Sequence, residues 1–174
     1  MEALDHLKRI AKDRMVGFRI DEIMSGTHEF EPGMGPPGTH VFRFDVCWGP
    51  DDMRAWIHPG SPDFMVQPMS GTVIAGGLCD EAPIEGTLAL EYFDSGKIRY
   101  TFNFEANGKL YDFVGEKVNI KPWNLPVSHT TCFGVLTEAE SGRLVSRPLT
   151  FFQMRTLPNF IKSFRLLIRP RVME

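Results

Sequence analysis

Two strictly alternating runs, Lys97–Ala106 (KIRYTFNFEA) and Lys109–Val118 (KLYDFVGEKV), flank the dipeptide Asn107-Gly108. Asn-Gly suits a two-residue hairpin turn, because both central positions of that turn need positive φ. A two-residue loop fixes the register. Ala106 faces Lys109, so Phe104 meets Tyr111, Phe102 meets Phe113 and Tyr100 meets Gly115 on one face. Arg99 then lies opposite Glu116 on the other face, an opposite-charge cross-strand pair. One side of the hairpin is a wall of aromatic rings and the other is polar. Such a wall covers either a solid core or the lining of a cavity.

The same period of two runs through most of the chain. Val16, Phe18 and Ile20 alternate with polar or small residues, and Phe42, Phe44, Val46 and Trp48 share one face. Between them, EPGMGPPGT (31–39) is too rich in Pro and Gly for regular structure. Strand candidates follow at 53–57, 64–74 and 83–93, and a second hairpin is expected from 127–138 and 143–151 around Ala139–Gly142. Short loops favour antiparallel neighbours, and no strand–helix–strand repeat appears that would build a parallel sheet. A meander of this size must hide or pair its edges, and closure is the common solution. The expected fold is therefore all-β and mostly antiparallel: a lipocalin-like, closed or nearly closed β-barrel of 8–10 strands over residues 16–151.

Helical spacing is read only at the two ends. Leu4, Leu7 and Ile10 mark a short helix over 2–14. Phe160, Ile161, Phe164, Leu167 and Ile168 mark an amphipathic helix within 152–170, with Lys162, Arg165 and Arg169 on its polar side and Pro158 in its first turn. The whole chain, 1–174, reads as one domain.

Charge narrows the partners. The chain carries a net charge of -3, yet Arg143–Glu174 holds seven basic residues against one acid. Aromatic residues sit in acidic or neutral stretches, so nucleic acid is not an expected partner. The basic terminal helix has three uses: capping a barrel end, packing against a second subunit as a homodimer, or resting on an anionic membrane surface. Cys47, Cys79 and Cys132 form no C-x-x-C, which argues against a disulfide framework or a zinc knuckle. No run approaches the roughly 20 apolar residues of a membrane span, and the N-terminal segment lacks a signal peptide's apolar core. A soluble cytoplasmic protein is expected.

FRIDEIMSG (18–26), GTV (71–73), IRYTFNFEANGKLYDFVGEKV (98–118) and WNLPVSHTTCFG (123–134) occur in an order that resembles a known family. It is the accessory, non-flavin domain found with some cholesterol-oxidase-like FAD oxidoreductases of the glucose–methanol–choline class. The resemblance spans roughly residues 16–156. That domain carries no established chemistry, so the resemblance implies no catalytic residue, only an association with lipid- or sterol-like chemistry. The flavin machinery itself is missing. Gly33-Met-Gly35-Pro-Pro-Gly38 is not a dinucleotide fingerprint, because its prolines remove the amides a pyrophosphate cradle needs. No cofactor is expected.

None of the five histidines has metal-ligand spacing, so no metal site is expected. His129, in phase with Thr131, Phe133 and Val135, is the candidate for proton transfer, with a hydrogen-bonded core histidine as the plainer alternative. Ser25-Gly26 and Ser70-Gly71 lack a nucleophile elbow and read as strand bends. Glu22, Glu91 and Glu105 alternate with apolar residues and could face inward. Trp48 and Trp123 stand near strand ends, where they could rim a cavity mouth.

The pocket would be lined by Phe42, Phe44, Trp48, Tyr100, Phe102, Phe104, Tyr111, Phe113, Trp123 and His129, with His129, Glu22 and Arg99 orienting its guest. The leading expectation is binding of a small apolar ligand that is lipid-, sterol- or polyketide-like. Two alternatives stand beside it. One is a small barrel enzyme that isomerises, cyclises or hydrates such a ligand, with His129 or an inward carboxylate as base. The other is a non-catalytic partner of a separate oxidoreductase. A cavity holding His129 beside a carboxylate favours the enzyme, a cavity without paired titratable groups favours the binder, and a solid core favours the scaffold.

Overall fold

Strands pair in chain order almost without interruption in the computed structural model, which describes residues 14–93, 95–118 and 131–170. β1 (Arg14–Glu29), β2 (Thr39–Trp48), β3 (Val66–Ala75), β4 (Cys79–Glu91), β5 (Lys97–Ala106), β6 (Lys109–Lys117) and β7 (Thr131–Glu138) each pair antiparallel with the next. β8 (Leu144–Ser146) pairs with β7, and β9 (Leu149–Phe152) pairs with both β7 and β1. That last strand closes an eight-stranded antiparallel β-barrel and removes its open edge. The expected N-terminal helix falls, apart from Arg14, outside the described residues, as do Trp123 and His129.

The central hairpin has the register its turn dictates. Ala106 pairs with Lys109, Phe104 with Tyr111, Phe102 with Phe113, Tyr100 with Gly115 and Arg99 with Glu116. Asn107 and Gly108 both take positive φ, 53° and 72°. Strand glycines serve close approach between neighbours. A Cβ on Gly26 would stand 1.9 Å from the Leu149 carbonyl oxygen, and one on Gly71 would stand 2.0 Å from that of Asp45. The two Ser-Gly pairs thus mark places where adjacent strands crowd together.

Two segments differ from their sequence reading. Residues 53–57, expected as a strand, form the short helix α1 (Met53–Ile57), started by the Asp52 side chain accepting from the Arg54 amide at 2.9 Å. The expected C-terminal amphipathic helix is only one turn and a half, α2 (Leu157–Lys162), with Pro158 at its start. The chain then re-enters the sheet as β10 (Arg165–Pro170), paired with Arg14–Arg19 of β1. β1 is 16 residues long, and β9 pairs with it only at Thr27–Met24. The remaining length offers an unsatisfied backbone edge, and β10 takes it. Arg165 binds Asp21 through two hydrogen bonds of 2.9 and 2.7 Å, and Arg169 reaches Asp51 at 3.5 Å. The basic residues Arg165 and Arg169 thus stand on a strand and not on the polar side of a helix. Spacing of apolar residues over ten positions fits a helix and a strand about equally, and the free edge decided it.

The barrel interior is filled by rings from opposite walls. β2 and β6 lie four strands apart around the eight, so they face each other across the barrel. Phe42 stacks on Phe113 with centroids 5.2 Å apart, and Phe44 meets Phe113 at 5.6 Å, Phe102 at 5.4 Å and Tyr100 at 5.5 Å. Phe113 also stacks on Phe102 at 4.6 Å. Its ring occupies the space that side chains at Gly115 and Gly134 would need, where a Cβ would come within 2.7 and 2.5 Å of it. Phe104 and Tyr111 stack at 5.5 Å in the same core. Phe113→Ala is expected to lower the unfolding free energy by about 3–5 kcal/mol, as for a fully packed phenylalanine. Urea denaturation measures it, and a loss below about 1 kcal/mol would mean that the ring faces empty space.

Candidate functional site

Past the stacked rings, toward α2, the interior turns polar. Glu22 occupies an inward position of β1 between the buried Ile20 and Met24, and it is itself only 5% exposed. Lys117, at the end of β6, answers it from across the barrel with Nζ 2.7 Å from Oε1. The Tyr100 hydroxyl donates to both carboxylate oxygens at 3.0 and 3.1 Å. Trp48 Nε1 donates to Oε2 at 3.0 Å. The ammonium of Lys117 lies 5.2 Å from the Tyr100 ring centre and 5.9 Å from that of Phe152.

Burying two opposite charges costs several kcal/mol per ion unless the geometry is good and the remaining valences are met. Here one carboxylate on β1 collects donors from three other strands, β2, β5 and β6, which is what makes its burial tolerable. Burial and the Glu22 charge push the Tyr100 phenol well above its ordinary 10, so it stays a donor. Tyr92, half-buried nearby, is pushed up for the same two reasons. Burial pushes the Cys132 thiol up to about 12, which makes it an inert core residue.

These groups open on a cavity of about 170 Å³. Glu22, Lys117, Tyr100 and Trp48 form its polar part, while Leu88, Leu90, Ile98, Tyr92 and Phe160 complete the wall. Phe160 comes from α2 and packs edge-on against Phe152 at 5.4 Å, so the excursion between β9 and β10 closes one side of the cavity. Larger hollows exist on the outside. One of about 710 Å³ lies over β6 and β7, lined by Val114, Phe133 and Val135, and one of about 440 Å³ runs beside Thr27–Glu31. Both are open grooves without a buried ion pair.

The residues expected to line a pocket divide in two. Trp48 and Tyr100 reach the cavity, and so does Glu22. Phe42, Phe44, Phe102, Phe104, Tyr111 and Phe113 belong to the packed core below it. Arg99 pairs with Glu116 at 3.0 Å and Glu91 at 2.8 Å on the polar face of the hairpin, away from the cavity. Glu105 is exposed. Trp123 and His129 lie outside the described residues. Lys117 is the residue that sequence reading missed. The signal for it was present in the hairpin register, which sets Lys117 opposite Ile98 on the same face as Phe113 and Gly115.

A second buried polar cluster escaped notice as well. His28, 2% exposed, holds Ser146 Oγ at 2.9 Å through Nδ1 and the Gly76 carbonyl at 3.0 Å through Nε2. A carbonyl only accepts, so Nε2 carries the proton and Nδ1 receives the serine hydroxyl in the neutral ring. Ser146 is fully buried, which removes it from contact with any substrate.

The fold is thus a closed eight-stranded β-barrel with one solid half and a charged, partly hollow end. Compared with protein-family models, curated proteins and solved structures, the chain matches none. Among the described residues, no helix is long and apolar enough to cross a membrane, and no group of three His, Cys, Asp or Glu could hold a metal ion.

Lys117→Met, which strands a buried carboxylate, is expected to cost about 3–5 kcal/mol. Adding Glu22→Gln should recover a large part of that loss, so the double variant will be more stable than additivity predicts. A double-mutant cycle by denaturant unfolding checks this, and additive losses would refute the coupling. His28 supplies a pH signature. Burial holds its imidazole below the ordinary 6.5, so between 6.5 and the folded value the unfolded chain binds more protons. Stability should therefore fall as pH drops below about 6.5. His28→Gln should flatten this limb of the Tm-against-pH curve.

Proposed function

We propose that the protein binds a small, mainly apolar molecule at the α2 end of the barrel. The Glu22–Lys117 pair would hold its polar end and Leu88, Leu90, Ile98 and Phe160 its body. The observation that carries this reading is a buried carboxylate, held by three donors, that opens onto a cavity rather than onto more core. Charges so deeply buried are expensive, and a packed apolar end would be the cheaper way to finish a barrel. A few polar groups converging on an apolar wall are the usual make-up of a small-molecule site.

Size narrows the ligand. About 170 Å³ is close to the cavity of about 150 Å³ that holds one benzene, and well below the roughly 300 Å³ at which drug-sized pockets begin. One ring or a short branched chain fits as the site stands. A sterol or long acyl chain would require Phe160 and its helix to swing away. The resemblance to an oxidoreductase-associated domain supports the same reading by context, since such a partner would handle apolar substrates.

Binding is favoured over catalysis by the state of Glu22. A general base needs a lone pair aimed at the substrate. Both oxygens of Glu22 already accept hydrogen bonds, Oε1 from Lys117 and Oε2 from Trp48, with the single Tyr100 O–H shared between them.

Titration of methyl-labelled protein with one-ring probes such as toluene or cyclohexanone is expected to shift the methyl signals of Leu88, Leu90 and Ile98 selectively. Leu88→Trp, which fills the cavity, should abolish the shifts at Leu90 and Ile98, and Phe160→Ala should admit a two-ring probe that the unaltered protein rejects. Unmoved signals at millimolar probe would sink the proposal.

A further inference from the structure

The unused hydrogen-bonding capacity of the buried ion pair is mainly of one sign. Lys117 carries three N–H donors, and its side chain is 4% exposed. Among the described residues one of those donors is taken, by Glu22 Oε1. The Tyr100 and Phe152 rings, at 5.2 and 5.9 Å, offer the ammonium soft aromatic faces but no oxygen or nitrogen acceptor. Glu22, in contrast, already receives three donors on its two oxygens: Lys117 on Oε1, Trp48 on Oε2 and the single Tyr100 O–H shared between them. Two Lys117 donors are thus left over against about one Glu22 lone pair, so what the pair still offers to the cavity is mainly donor capacity.

Charge is already balanced. Lys117 and Glu22 sum to zero, and Tyr100 contributes a neutral phenol. An anionic guest at Lys117 would stand beside the Glu22 carboxylate, which is 2.7 Å from the same ammonium, and would meet like-charge repulsion in a low-dielectric site. A cationic guest would meet the ammonium itself. An uncharged guest adds no unpaired charge.

We infer that the ligand presents a neutral hydrogen-bond acceptor, a carbonyl oxygen, to Lys117, and that it is an aldehyde or ketone of about one ring in size. This rests on the reading of the cavity as a small-molecule site. Water explains the selectivity. In the free protein, water is the natural acceptor for the remaining ammonium protons. A guest that displaces that water without replacing its hydrogen bonds loses affinity. A carbonyl replaces them with two lone pairs. A hydrocarbon of the same shape replaces none, and a primary ammonium group offers only more donors.

The test is a matched series on the intact protein: cyclohexanone, methylcyclohexane, cyclohexanecarboxylate and protonated cyclohexylamine, titrated against the Leu88, Leu90 and Ile98 methyl signals. Cyclohexanone is expected to bind about tenfold or more tightly than methylcyclohexane, the scale of a hydrogen bond to a charged donor, and more tightly than either ion. Its carbonyl carbon, labelled with ¹³C, should move downfield on binding, a readout that needs no variant. In Glu22→Gln with Lys117→Met, which removes both charges together, the preference for the ketone over the hydrocarbon should vanish while the hydrocarbon still binds.

Each outcome decides something. Equal affinity for ketone and hydrocarbon, or an unmoved carbonyl resonance, overturns the acceptor inference and leaves the small-molecule site standing. Tightest binding of the carboxylate overturns it in favour of an anion site. Binding of none of the four overturns the site and the inference together.

Discussion

Contact across the barrel between Phe113 and the pair Phe42 and Phe44 governs the rest of the architecture. Eight strands make a cylinder that side chains can just fill or can leave hollow for one small guest. Rings from opposite walls, meeting at 5.2 and 5.6 Å, settle that choice at mid-height. Gly115 and Gly134 are part of the same arrangement, because a side chain at either would collide with the Phe113 ring. With the middle closed, open volume can exist only toward an end, and there it meets Glu22 and Lys117.

That end is built at a cost. An ion pair 4–5% exposed gives up hydration that apolar residues would never have had. The compensation is a network in which Tyr100 and Trp48, both aromatic, bring one polar atom each to the carboxylate and leave their rings to pack against Phe44 and Phe18. Such a network holds four strands in one mutual position, since Glu22, Trp48, Tyr100 and Lys117 come from β1, β2, β5 and β6. Low dielectric strengthens each bond and makes each missing partner expensive. The polar end is thus held by the barrel strands, and Phe160 of α2 reaches its wall from a short excursion outside the barrel.

Much of this was legible beforehand. The Asn107-Gly108 turn and its register, the aromatic face, the Arg99–Glu116 pair and an all-β antiparallel barrel all follow from alternation and turn chemistry. Glu22 was readable as inward because Ile20 and Met24 flank it in phase. Lys117 was equally readable from the hairpin parity, but a lysine near a strand end looks like a solvated residue until its partner is known. Asp52 starting α1 illustrates a local signal that competes with weak strand alternation and wins.

The chain's own pattern determined which residues face inward, because a strand's side chains alternate whatever it pairs with. It could not determine what an inward residue meets, since that depends on which strand stands opposite once the sheet has closed. Tertiary structure decided that Phe113 meets Phe42 and becomes core, that Glu22 meets Lys117 beside a cavity, and that residues 165–170 complete the edge of β1 instead of continuing a helix. Each is a contact between residues far apart in sequence, and the first two are contacts across the barrel that β9 closes by joining β7 to β1. The aromatic wall belongs to the sequence, and the division of the barrel into a solid half and a charged, partly hollow end belongs to its closure.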